Sequence, residues 1–212
     1  MNRYLDEIKN IIFGLQDGMV STVVLTTTIA TTLHSRYSII VAVIAAGIGG
    51  GISMAAGIYI GSKSQKEIFE KEIDDIDYKD RNIRKLMENY DIDENNIDEF
   101  LKDTKKYPTF KKIFFSFLIT GENIDRITNP VKDAFFMGTS FLIGAFIPAI
   151  AYFVSIGTEG IILSILFTAI ILFLVGVIKS IVTSRKALYS GMEIMIIGVL
   201  AGIIGYFIGM II

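Results

Sequence analysis

The chain has 212 residues, 52% of them apolar, with a mean hydropathy of +0.56, no Cys, no Trp, one His and a net charge of −2. Without Cys there is no disulfide scaffold, thiolate zinc site, iron–sulfur cluster or Cys nucleophile, and a single His excludes a His-rich metal cage within one chain. The near-balanced charge leaves no electrostatic footprint for nucleic acid, and apolar blocks too long for a globular core leave a small membrane protein.

A bilayer core of roughly 30 Å needs about 20 mostly apolar helical residues. Five segments meet that length: Ile11–Leu33, Ile39–Gly61, Lys132–Val154, Ile161–Ile178 and Gly191–Ile212. The predicted fold is all-α, a polytopic membrane protein with five transmembrane helices. Residues 1–61 hold the first two spans, 62–131 form a cytosolic helical insertion, and 132–212 hold the last three. The first span reads as retained rather than cleaved, because it is long, contains Asp17 and lacks a small-residue cleavage site after it.

Asp17 is the costly residue of span one. It lies six residues after Ile11, roughly 9 Å in at 1.5 Å per residue. An Asp near a span's centre costs about 2.5–3.5 kcal/mol, so it is expected with a partner, a wet cavity or an ion path. Gly14, Asp17, Ser21, Thr28 and Thr31 follow helical spacing and form one polar stripe. The plainer use of Asp17 is to cap a break beside Gly18 or to bond a neighbouring span.

Span two is dominated by small residues from Ala45 to Gly57. The pairs Gly47/Gly51 and Ser53/Gly57 allow close helix approach. Met54 is the one long flexible side chain among them. It lies seven residues before Gly61, roughly 10 Å from that edge, at about the depth expected for Asp17. A carboxylate and a thioether at one level suit a borderline divalent transition metal better than calcium or magnesium.

The hydrophilic stretch that follows reads as three helices: Ser62–Tyr90, Asp93–Tyr107 with Asp93 as N-cap, and Thr109–Thr120 after Pro108. Glu67, Glu70, Asp74 and Asp77 share one face of the first. They read either as a metal-collecting strip or, in the commoner use of a charge run, as a solvated face beside Lys66, Lys71 and Lys79. Phe110, Ile113, Phe114, Phe117 and Leu118 form the apolar face of the third helix. No GxxxxGK[ST] phosphate loop occurs in this stretch, which leaves nucleotide-driven transport unsupported.

Span three contains Met137 and Pro148, the latter expected to kink the helix. Span five contains Glu193 and Met195. Met137, Glu193 and Met195, with Ser21, are secondary candidates for a metal path, against the alternatives of filler for Met and interface snorkelling for Glu. Nineteen of the 20 basic residues fall on one side of the five spans, with only Arg36 opposite. The positive-inside bias therefore predicts a cytoplasmic N-terminus and large loop and an outside C-terminus.

The segments Gly14-Leu15-Gln16-Asp17-Gly18-Met19-Val20-Ser21 and Ser53-Met54-Ala55-Ala56-Gly57-Ile58-Tyr59, with Ser64-Gln65 after them, resemble the vacuolar iron transporter family motifs GLxDGxVS and SMAAGEY…SQ. The likeness continues through Asn129-Pro130, Gly144–Pro148, Tyr152 and Gly198–Gly209. It implies a five-span homodimer in the lipid bilayer that exports Fe2+, and often Mn2+, in exchange for protons. Asp17 and Met54 would line the path. The metal would be substrate, with no resident cofactor, no enzymatic activity and no nucleic-acid partner. The membrane would be the cell membrane in a prokaryote.

The resemblance also implies a cytosolic domain that gathers metal through Glu and Met side chains, and here this chain departs. Ile58 replaces the motif's Glu, Phe114-Phe115-Ser116-Phe117-Leu118 replaces a Met-Met-x-x-Glu pattern, Ala151 replaces a second Pro, and upstream Glu positions fall on or near Ile76, Lys79, Arg81 and Arg84. The family's metal-collecting residues are therefore not carried over. Those losses motivate an alternative: a non-transporting membrane anchor whose cytosolic helices bind a partner.

Overall fold

The computed structural model describes residues 2–75, 84–85, 87–89, 91–104, 106–107 and 129–212. Every regular element among them is helical: α1 (Asn2–Leu33), α2 (Arg36–Asp75), α3 (Glu94–Thr104), α4 (Pro130–Phe146), α5 (Ala151–Val154), α6 (Thr158–Thr183) and α7 (Ala187–Ile211). The chain divides into two compact units, one of residues 1–61 with 129–212 and one of residues 62–128.

Among the described residues five helical stretches are long and apolar enough to cross a membrane: Glu7–Leu33, Arg36–Ile68, Pro130–Val154, Thr158–Thr183 and Ala187–Ile211. They match the five expected spans, but most run beyond the expected edges. Backbone hydrogen bonding does not stop where hydropathy falls, and no Gly or Pro interrupts α2 after Gly61. Pro148 has the anticipated effect. α4 ends at Phe146, and a 3-10 turn at Pro148–Ile150 leads into α5. Ser164 on α6 donates to the Pro148 carbonyl at 2.8 Å.

In the larger unit α1 packs against α4, α6 and α7. Between helices in lipid there is no water to expel, so backbone proximity and interhelical hydrogen bonds do the joining. A Cβ on Gly144 of α4 would collide with the Leu15 carbonyl oxygen, and one on Gly14 would lie 2.7 Å from that of Met137. Two apolar clusters fill the remaining space. Ala30, Ile39, Val43, Ala149, Tyr152 and Ile161 form one; Ile12, Met19, Leu172, Val175 and Ile194 form the other.

Threonines join α1 to α7. Thr28 donates to the Gly205 carbonyl at 2.9 Å and Thr32 to that of Gly209 at 3.3 Å. Thr28 therefore serves packing against α7, and Gly14 is buried against α4, so the predicted polar stripe does not act as one surface. Replacing Thr28 with Val is expected to cost about 0.6–1.7 kcal/mol, read as a lowered melting temperature in detergent.

In the smaller unit α3 stops at Thr104 rather than Tyr107. Lys106 N–H closes a tight turn on Asp103 at 3.2 Å, and a residue before proline, here Tyr107, disfavours helical backbone. The Asp93 carbonyl accepts from Ile97 at the helix start. Arg84 is ion-paired with Asp98 and lies 3.6 Å from Glu94. The Asp98 hydrogen bond, then its charge, raises the Arg84 pKa, with Glu94 and Glu88 adding smaller charge effects. The expected third helix with its Phe face, and Asp77, Ile76, Lys79 and Arg81, lie outside the described residues.

Candidate metal path

Asp17 is half-buried on α1. The Ser21 hydroxyl donates to its Oδ1 at 3.5 Å, a long bond from an exposed residue. The plainer uses of Asp17 find little support in this: α1 is unbroken through Gly18, and the hydroxyl is on its own helix. Met54 is half-buried on α2.

The contacts of α4 relate the depths of these two residues. Gly14 and Gly18 of α1 meet the 137–145 stretch in parallel, while Gly51 and Gly47 of α2 meet Gly138 and Ala145 in antiparallel order. Extending both registers sets Asp17 near the level of Leu142 and Met54 near that of Phe136, about six residues or roughly 9 Å apart. The two are therefore stepped along α4 rather than level.

The secondary candidates scatter. Met137 is buried, 4% exposed, in the α1–α4 seam, Met195 is half-buried, and Ser21 and Glu193 are exposed. Glu67 is exposed and lies 3.8 Å from Lys63. The backbones of Glu70 and Asp74 belong to α2, while their side chains lie outside the described residues. Among the described residues no three His, Cys, Asp or Glu gather closely enough to hold a metal. A groove of about 290 Å³ between α2 and α4 is apolar, walled by Gly47, Gly51, Ala55, Ala134 and Gly138, and touches neither Asp17 nor Met54.

The structure also reveals a polar seam that sequence reasoning did not single out. Asn10 donates to Asp133 at 3.1 Å, with both residues buried, and Lys132 is ion-paired with Glu7. Asn129 caps α4 by accepting from Val131 and Lys132, with Pro130 at the helix start. Asn10 lies seven residues before Asp17, two turns along the same α1 face, and that spacing was the available signal. Replacing Asn10 with Leu removes a donor from a buried carboxylate and is expected to destabilise the chain by about 1–3 kcal/mol, measurable by thermal unfolding.

The sequence profile of the VIT family matches residues 8–210. The chain is 24% identical over 208 residues to a vacuolar iron transporter of Centaurea cyanus, covering 92% of this chain and 84% of that relative. It is 26% identical over 225 residues to Protein CCC1 of Saccharomyces cerevisiae, covering 95% and 68%. It is 22% identical over 203 residues to vacuolar iron transporter 1 of Arabidopsis thaliana, covering 92% and 81%.

Proposed function

This chain belongs to the VIT family and is a membrane-embedded transporter of metal ions, and from that premise we propose that it carries ferrous iron, with manganese as a second substrate, out of the cytosol in exchange for protons. The names of the relatives support iron as the cargo. The observation that carries the mechanism is Asp17, an ionisable group inside the first membrane-crossing helix with one weak hydroxyl donor. Such residues are tolerated in lipid chiefly where they serve an ion or proton route.

In this reading the N-terminus and residues 62–131 are cytosolic, the C-terminus is outside, and metal meets the Met54 thioether before the Asp17 carboxylate. The step of roughly 9 Å between them suits passage better than chelation by one chain. Oxygen and sulfur donors together favour a borderline divalent cation. Protonation of Asp17 from the outer side would release the metal and couple the two fluxes. A second copy would supply a matching pair, and α2 has a face for it: Gly49 and Gly57 meet nothing within 4 Å.

Mn2+ binding to the purified full chain, followed by its electron paramagnetic resonance signal, tests the site. Losing a charged ligand worth about 1.5–3 kcal/mol weakens binding roughly ten- to a hundredfold in Asp17→Asn. Equal affinity in both proteins would remove Asp17 from the path.

A further inference from the structure

We propose that the turn joining α6 to α7 is a docking surface for the headgroups of acidic phospholipids. α6 ends at Thr183, Ser184 adopts a left-handed conformation with φ 53°, and α7 begins at Ala187. Arg185 and Lys186 thus occupy a three-residue connection with both side chains exposed. Lys179, half-buried about one turn before the end of α6, has a stem long enough to bring its ammonium to the same membrane face.

None of the three is ion-paired with a carboxylate among the described residues. The first turn of α7 contains no acid to neutralise them. Apolar side chains flank the cations on both helices: Ile181 is 78% exposed, and Leu188 and Tyr189 are each 68% exposed. Side chains of this kind face acyl chains, and a Tyr marks the depth at which acyl chains give way to headgroups. The cations therefore stand at the phosphate layer.

A phosphodiester accepts the paired N–H groups of an Arg and the ammonium of a Lys. A zwitterionic headgroup brings its own cation, whereas an acidic one leaves its charge for the protein. Each Lys or Arg at an anionic surface contributes roughly fivefold to partitioning, so the three together give on the order of a hundredfold. The surface is separate from Asp17 and Met54, and its occupancy does not depend on what the protein transports.

The test uses the full chain in bilayers of equimolar phosphatidylglycerol and phosphatidylcholine, with retained lipid counted by native mass spectrometry after gentle extraction. Wild type is expected to retain phosphatidylglycerol in at least tenfold preference, K179Q/R185Q/K186Q to lose that preference, and the charge-conserving R185K/K186R to keep it. Where the triple variant does not fold, R185Q/K186Q on the exposed turn reads the same effect, at about 25-fold for two charges. Equal lipid ratios in wild type and neutralised variants overturn the proposal. So does displacement of phosphatidylglycerol by soluble glycerol phosphate, which would make the surface a general anion site.

Discussion

Replacing Asp17 with Asn is expected to stop metal transport while leaving the protein at least as stable as wild type. The two effects have opposite signs because the carboxylate costs about 2.5–3.5 kcal/mol at mid-span, and its neighbour offsets little of that: the Ser21 hydroxyl is 3.5 Å away and exposed. Asn is nearly isosteric and uncharged, so unfolding should shift upward or not at all. As a ligand, however, the carboxylate supplies charge and a proton-exchanging group, and the amide supplies neither. Uptake is expected to fall at least tenfold, by the roughly 1.5–3 kcal/mol of a charged contact. A variant both inactive and clearly less stable would assign Asp17 to structure instead. Uptake and melting temperature measured on one preparation separate the two.

The second large effect is steric. Gly18→Ala adds a Cβ that would collide with the Phe141 carbonyl oxygen and lie 2.9 Å from the Ala145 amide nitrogen. Both obstacles are backbone of α4, so no rotamer change relieves them. Overpacking typically costs about 1–3 kcal/mol, and a contact that forces two helix backbones apart is expected at the top of that range. Gly49→Ala is the control, since nothing lies within 4 Å of that glycine. In detergent-solubilised single chains it is expected to raise stability slightly, because Ala is a better helix former than Gly by about 1 kcal/mol. Thermal unfolding should therefore move down for Gly18→Ala and up or not at all for Gly49→Ala. Equal shifts would contradict the α1–α4 contact.

These contrasts show which features of the molecule were legible in sequence. Five apolar blocks announced five helices, because hydrocarbon thickness sets a minimum length. Pro148 announced its break, because the missing N–H is local chemistry. Helix edges were less legible, since α1 and α2 continue hydrogen bonding past the point where hydropathy falls. Periodicity placed Gly14, Asp17 and Thr28 on one polar stripe but could not say what meets them. Gly14 meets α4, Thr28 meets the Gly205 carbonyl, and Asp17 is left half-buried.

Long-range partners were hidden from sequence. Asn10 and Asp133 are 123 residues apart in the chain, and neither is unusual until α1 is known to lie beside α4. The glycines of α2 show the same limit. Gly47 and Gly51 pack on α4 while Gly49 and Gly57 face open space, although all four belong to one small-residue run. Asp17 stood out because a charge in a span is costly wherever its neighbours lie; its step from Met54 depended on the α4 register and needed the fold.

The most direct measurement is ferrous iron uptake into proteoliposomes that contain the full chain and a pH-sensitive dye. With an acidic lumen and a near-neutral exterior, proton exchange at Asp17 predicts that iron enters faster than without the gradient. Luminal pH should rise as iron enters, and both signals should disappear in Asp17→Asn. Iron entry that ignores the gradient and leaves luminal pH unchanged, or that persists in Asp17→Asn, would contradict proton-coupled transport through Asp17.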